Sequence, residues 1–165
     1  MLRWLRPAAQ VSTVFDIDLI ALRTRGIRGI ILDLDNTIVP WGAREASPEL
    51  VGWISGAHAA GFRLCIVSNN IGGRVTRIAA MLGLPVVTGA LKPRRKALRR
   101  ALSVMGTTPE ETALVGDQLL TDILGGNRLG VHTILVRPQA RREFLGTRVA
   151  RMVERVLLRG GPVNR

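Results

Sequence analysis

The sequence predicts an α/β fold, a doubly wound, mostly parallel Rossmann-like sheet, and three observations carry that prediction. Between residues 27 and 136 short apolar runs alternate with single helical segments, the pattern of right-handed βαβ units. The runs are continuously apolar, as parallel strands covered on both faces are. The polar residues that interrupt them fall at their carboxyl ends, the edge where ligands bind in such sheets.

The elements follow in order. "IRGIILDLD" (27–35), rich in Ile and Leu, is the first strand of this core. Ser47-Pro48 offers an N-cap with proline at the first helical position, opening a helix through Ala60 that Gly61 stops. "FRLCIVSNN" (62–70) is the second strand, a helix spans Gly72 to Leu82 and ends at Gly83, and "LPVVTG" (84–89) is a short third strand. "KPRRKALRRALSVMG" (92–106) is the third helix, and "TTPEE" (107–111) repeats the capping pattern before the strand "TALVGD" (112–117). A helix over about Leu119–Arg128 and a last strand, "VHTILV" (131–136), complete the set.

The two ends differ from this core. Residues 1–26 form an N-terminal extension of mixed composition, with a short helix near Asp16–Thr24. From Pro138 the chain is arginine-rich, and Leu145, Val149, Met152, Val153 and Val156 recur at helical spacing. That predicts a basic amphipathic helix over about 139–159, packed on its own domain, with a membrane-surface helix as the other option. All of residues 1–165 are assigned to one domain, a length that buries roughly 70% of the surface the unfolded chain exposes.

Composition narrows the function classes. A hydrophobic fraction of 47% with 22% charged residues excludes wholesale disorder. Twenty-four Lys and Arg against twelve Asp and Glu leave a formal charge of +12, which favours anionic company: nucleic acid, an anionic membrane surface or phosphorylated substrates. The single cysteine, Cys65, excludes an intramolecular disulfide and points to a reducing compartment. No apolar run reaches the ~18 residues of a membrane span, and the start lacks a secretory h-region, so the expectation is a cytoplasmic protein, at most peripheral to the inner face of the membrane.

The polar strand ends hold the chemistry. The first strand ends in Asp33-Leu34-Asp35-Asn36-Thr37 and the second in Ser68-Asn69-Asn70; Lys92-Pro93 follows the third; the fourth ends in Gly116-Asp117, with Asp122 five residues on. Singly, each has a turn or cap explanation. Together, on one edge, they suit phosphoryl transfer to a carboxylate. An aspartate nucleophile splits ester hydrolysis into formation and breakdown of an aspartyl-phosphate. A second carboxylate protonates the leaving oxygen and later deprotonates water. Clustered acids need a hard cation, and an all-oxygen donor set points to Mg²⁺. A lysine and a hydroxyl then neutralise and orient the transferring group.

These motifs resemble the haloacid dehalogenase superfamily: "ILDLDNT" matches its first motif, "CIVSN" its second, Lys92 in "LKP" its third and "GDQLLTD" its fourth. The resemblance implies that Asp33 is nucleophile and metal ligand, and that Asp35 is the general acid/base and gives its backbone carbonyl to the metal. It further implies that Thr37 supports the loop, that Ser68 and Lys92 bind the phosphoryl group with Asn69 beside them, and that Asp117 completes the metal shell. Asp122 ligates directly or orients from behind. The gaps between motifs leave no room for a cap domain, so the site is open to a bulky substrate. "LDLDNTIVPW" with the upstream "DIDLIALRTRGIRGIILD" is similar to the YqeG-type branch of capless phosphatases, subclass III, which is related to phosphatidylglycerophosphate phosphatases. By that resemblance a phospholipid headgroup is the leading substrate. Trp41, just past the first motif, packs either near the site or in the core. The rival reading is a nucleic-acid or ribosome-associated binding protein on the same fold, with little turnover.

Overall fold

The computed structural model describes residues 2–139. Six strands run β1 (Ala9–Val11), β2 (Gly29–Leu32), β3 (Arg63–Val67), β4 (Val86–Val87), β5 (Thr112–Gly116) and β6 (His132–Val136). Five helices join them: α1 (Leu19–Thr24), α2 (Pro48–Ala59), α3 (Gly73–Met81), α4 (Arg95–Met105) and α5 (Leu124–Leu129). The strand order is β1-β6-β5-β2-β3-β4, and every pairing is parallel. This is the α/β Rossmann-like sheet that the alternation of runs and helices predicts.

Why both faces are covered is visible in β2. Its residues are all buried, with Ile30 and Leu32 directed to one layer and Ile31 to the other. The first layer adds Leu50, Ile54 and Ala57 of α2 and Val75, Ile78 and Ala79 of α3; the second adds Ala97, Leu98, Ala101, Leu102 and Met105 of α4. The apolar stripe of α4 explains why so arginine-rich a segment is helical: its basic residues stay outside while the stripe seats on the sheet. The connections leave β2 towards β3 on one side and reach β5 on the other. The order therefore reverses beside β2, which places the β2 and β5 ends at the switch point where such folds bind ligands.

Several elements differ from the sequence expectation. The segment ahead of Gly29 contains a further strand, β1, paired with β6 from Ala9↔Ile134 to Val11↔Val136. The helix expected from Asp16 begins only at Leu19, capped by the Asp18 carboxylate accepting from Ala21 N at 2.8 Å, after a 3-10 turn over Val14–Asp16. The third strand shrinks from 84–89 to Val86–Val87, because β4 is an edge strand with β3 as its one neighbour. The helix expected over 119–128 is a π turn, Leu119–Ile123, running into α5. The expected helix over about 139–159 falls almost wholly outside the described residues. No described helix is long and apolar enough to cross a membrane.

Candidate active site

The ends of β2 and β3 and the turns after β4 and β5 open onto one cleft of about 310 Å³, lined by Asp33, Asp35, Asn36, Trp41, Ser68, Asn69, Asn70, Lys92, Gln118 and Thr121. Asp33 is the residue after β2, and its backbone N–H still donates to Val115 O of β5, so its side chain leaves a fixed point on the central strand. Lys92 enters from the loop after β4, joined to Pro93 by a cis peptide bond. Its backbone N–H donates to Asn69 Oδ1 at 2.8 Å, which ties the Lys92 loop to the β3 end.

The ionic centre is buried. The Lys92 ammonium donates to Asp33 Oδ1 and to Asp122 Oδ1, both at 2.6 Å, and to Val67 O at 3.1 Å. The Thr37 hydroxyl donates to Asp33 Oδ2 at 2.9 Å and reaches Asp117 Oδ1 at 3.4 Å. Burial pushes the Asp33 carboxyl up to about 6, with Lys92 opposing that rise and Asp122 adding to it. Burial alone would lower the Lys92 ammonium, but Asp122 and Asp33 outweigh it and hold the group above its ordinary range. Withdrawing ions from water costs several kcal/mol each unless partners compensate.

A cation fits the remaining charge. Asp33, Asp117 and Asp122 are all buried, and one carboxylate oxygen from each lies within 4.8 Å of the others. With all three ionised, one ammonium leaves two negative charges in a buried place, and the donors are hard oxygens, the set that divalent cations such as Mg²⁺ take. Gly116 lets the cluster form. A Cβ at that position would overlap the Asp122 carboxyl, so only glycine allows Asp122 to fold back over the end of β5. Asp122 Oδ2 accepts from Gln118 N at 3.2 Å, so both its oxygens have protein partners.

Asp35 points elsewhere. Its carboxylate stands outside the acid cluster and is held by Arg74 Nη2 at 2.5 Å and Asn70 Nδ2 at 2.6 Å. Ser68 is buried, its Oγ accepting from Asn70 N at 3.1 Å. Thus Asp33, Asp35, Ser68, Asn69 and Lys92 line the cleft, Thr37 braces Asp33 from below, and Asp117 and Asp122 meet Asp33 at the acid cluster. Trp41 lines the mouth and remains 48% exposed, so it is no core residue. Sequence reasoning missed Gln118 and Thr121, which line the cleft at the start of the π turn, and Arg74, which reaches Asp35 from the first turn of α3. A broader depression of about 520 Å³ at the opposite sheet edge, lined by residues such as His58, Phe62 and Met105, contains no carboxylate.

Comparison with known proteins agrees with this geometry. A family model described as HAD-hydrolase-like matches residues 90–149. A Bacillus subtilis protein described as "probable phosphatase YqeG" is 44% identical over 152 residues, covering 92% of this chain and 88% of that one. The chain belongs to the YqeG branch of the haloacid dehalogenase-type phosphatases. A second relative of this family, phosphatidylglycerophosphate phosphatase 1 of the Chlamydomonas reinhardtii chloroplast, is 32% identical over 90% of this chain, which spans only 59% of that longer protein. The cobalt-bound deoxy-D-mannose-octulosonate 8-phosphate phosphatase of Haemophilus influenzae shares the fold at TM-score 0.56 and 18% identity, over 68% of this chain and 69% of its own. An uncharacterised Listeria monocytogenes protein does so at TM-score 0.56 and 18% identity, over 80% of this chain and 98% of its own. Among the described residues only helices, turns and short strands separate the motifs.

Proposed function

We propose that the protein is a Mg²⁺-dependent phosphomonoesterase that works through an aspartyl-phosphate on Asp33. The observation that carries this reading is the Lys92 ammonium seated between Asp33 and Asp122 at 2.6 Å from each, at the switch point of the sheet. A lone buried lysine is a poor stabiliser, whereas a lysine fixed beside a nucleophile is placed to neutralise the transferring group.

In the first half-reaction an Asp33 carboxylate oxygen attacks phosphorus, the bond to the leaving oxygen breaks with its electron pair going to that oxygen, and Asp35 supplies the proton. In the second, a water oxygen attacks phosphorus, its proton passes to the Asp35 carboxylate, and the Asp33–phosphate bond breaks, restoring both residues. Ser68 and Lys92 hold the phosphoryl oxygens, with Asn69 keeping the Lys92 loop in place. Asp33, Asp117 and the backbone carbonyl of Asp35 would hold Mg²⁺, and Asp122, which accepts from the Lys92 ammonium at 2.6 Å, orients Lys92 from behind. The cation, when bound, offsets the charge of phosphate and carboxylates and keeps the attack in line.

The reading extends to residues 1–165 as one phosphatase domain in the cytoplasm, meeting a phospholipid headgroup at the inner face of the membrane, with phosphatidylglycerophosphate as the leading substrate. The name of the Chlamydomonas relative, the +12 charge and the open cleft support that choice. A module that only binds nucleic acid has no use for a buried Asp33–Lys92–Asp122 array.

The test is a panel of phosphorylated metabolites, phosphatidylglycerophosphate in mixed micelles and nucleic-acid ends, assayed with the full chain and with Asp33→Asn. Turnover should be lost by several orders of magnitude in the variant, while chelator abolishes and Mg²⁺ restores wild-type turnover. Near-wild-type turnover in Asp33→Asn would overturn the nucleophile.

A further inference from the structure

The general acid/base of the proposed reaction sits on a loop past the end of β2, beside Asn36, whose φ is +62. A carboxylate there has two side-chain torsions to be fixed. Both its oxygens are held. Arg74, in the first turn of α3, donates from Nη2 to Asp35 Oδ1 at 2.5 Å, and Asn70, just after β3, donates from Nδ2 to Oδ2 at 2.6 Å. The same guanidinium donates from Nη1 to Ala43 O at 2.9 Å, in the 40–46 segment that places Trp41 at the cleft mouth.

We propose that Arg74 is the positioning residue for Asp35, clamping its carboxyl group towards the leaving-group side of the cleft and locking the 40–46 wall to the same point. The proposal rests on the assignment of Asp33 and Asp35 above. Three features separate this contact from a bland surface ion pair, whose worth is near zero to about 1 kcal/mol. Both side chains are largely withdrawn from water, 27% and 13% exposed. One planar guanidinium joins two different segments, a geometry lysine cannot reproduce. Arg74 is also absent from the cleft lining, so it reaches Asp35 from outside the cleft. Proton transfer to the leaving oxygen tolerates little misplacement: an error of about 1 Å costs of order 10²-fold in rate.

A positioning role has a signature that a merely structural role lacks, because only the step that needs a proton suffers extra. p-Nitrophenyl phosphate releases a stable anion, whereas phenyl phosphate releases a poorer one that leans on Asp35. In Mg²⁺-loaded Arg74→Ala, turnover should fall on both, and the phenyl-to-nitrophenyl ratio of kcat/KM, which reports the leaving-group step alone, should fall a further 10- to 100-fold relative to wild type. Arg74→Lys should recover little of that ratio, while added guanidinium ion recovers part of it in Arg74→Ala. In metal-free protein, melting shifts for Arg74→Ala and Asp35→Asn should be non-additive, since each removes the same pair. An unchanged kcat/KM ratio overturns the proposal, and so do melting shifts that simply add. Should Arg74→Ala fail to fold, Arg74→Lys carries the same ratio test. The two readings fail separately: full turnover in Asp33→Asn removes the nucleophile whatever Arg74 does, whereas a dead Asp33→Asn with an unchanged ratio removes Arg74 alone.

Discussion

Lys92 and Asp33 meet at 2.6 Å, Nζ to Oδ1, although one stands on the loop after edge strand β4 and the other at the end of central strand β2. The pair is buried with Asp122 on its other side, so the ammonium is the protein's own counter-charge to the acid cluster.

Removing that counter-charge has a direction. Lys92→Met leaves three carboxylates buried together, and loss of one partner of a buried ion pair destabilises by about 3–5 kcal/mol. Metal-free Lys92→Met should therefore melt well below wild type, and Mg²⁺ should raise its midpoint by more than it raises the wild-type midpoint. Turnover with Mg²⁺ should fall of order 10²–10³-fold, as when other charge-stabilising donors are removed. Paired thermal melts with and without Mg²⁺ check the first part, and steady-state kinetics the second.

Gly116→Ala tests the close approach at the end of β5. The added methyl must displace the Asp122 carboxyl, which breaks its hydrogen bonds to Lys92 and to Gln118 N. Overpacking of this kind costs about 1–3 kcal/mol, and loss of an orienting partner costs of order 10–100-fold in metal affinity or activity. Urea denaturation and a Mg²⁺ titration of turnover measure the two effects. A Mg²⁺ response equal to wild type would mean that Asp122 does no orienting.

His132 sets a pH dependence away from the site. Burial and then the nearby Arg25 charge lower its pKa from 6.5 in the folded chain. The unfolded state therefore binds the proton first as pH falls. The contribution of His132 to stability is intact above about 6.5, where both states are neutral, and is lost as pH drops below that value towards the folded pKa. His132→Thr, which keeps a residue suited to the first position of β6, should flatten the fall in stability between about pH 7.5 and 5.5. Denaturant midpoints at several pH values for both proteins provide the check.

Strand ends were legible in the sequence because the chemistry contradicts the local pattern. Asp33 and Asp117 close runs of buried residues, and while each alone has a turn or cap explanation, the two together with Ser68 and Lys92 at one edge do not. Asp122 was visible through the resemblance of "GDQLLTD" to the fourth motif, with its exact role left open. Arg74 was not, because a basic residue in the first turn of a helix usually faces water and only the tertiary course of the Asp35 loop turns this one inward. β1 was missed because its three residues, Ala9–Val11, carry no apolar run: Gln10 is exposed, and partial burial of its neighbours is all an edge strand needs. The break between the π turn and α5 was illegible because it follows from packing: a Cβ at Gly126 would come within 2.6 Å of Thr133 and 2.9 Å of Leu114, so the helix there lies directly against the sheet.

The pairing of β1 with β6 bears on how the protein is made. Ala8 donates its N–H to the Thr133 hydroxyl across 125 residues of chain, and Asn127 Nδ2 ties down Trp4 O and Arg6 O. A ribosome releases the amino end first, so β1 emerges without a partner and must wait until β6 has cleared the exit tunnel. Contacts this distant in sequence form slowly, and an unpaired strand edge invites other chains meanwhile. β1 is only three residues long, with one exposed side chain, which makes it a weak template during that wait.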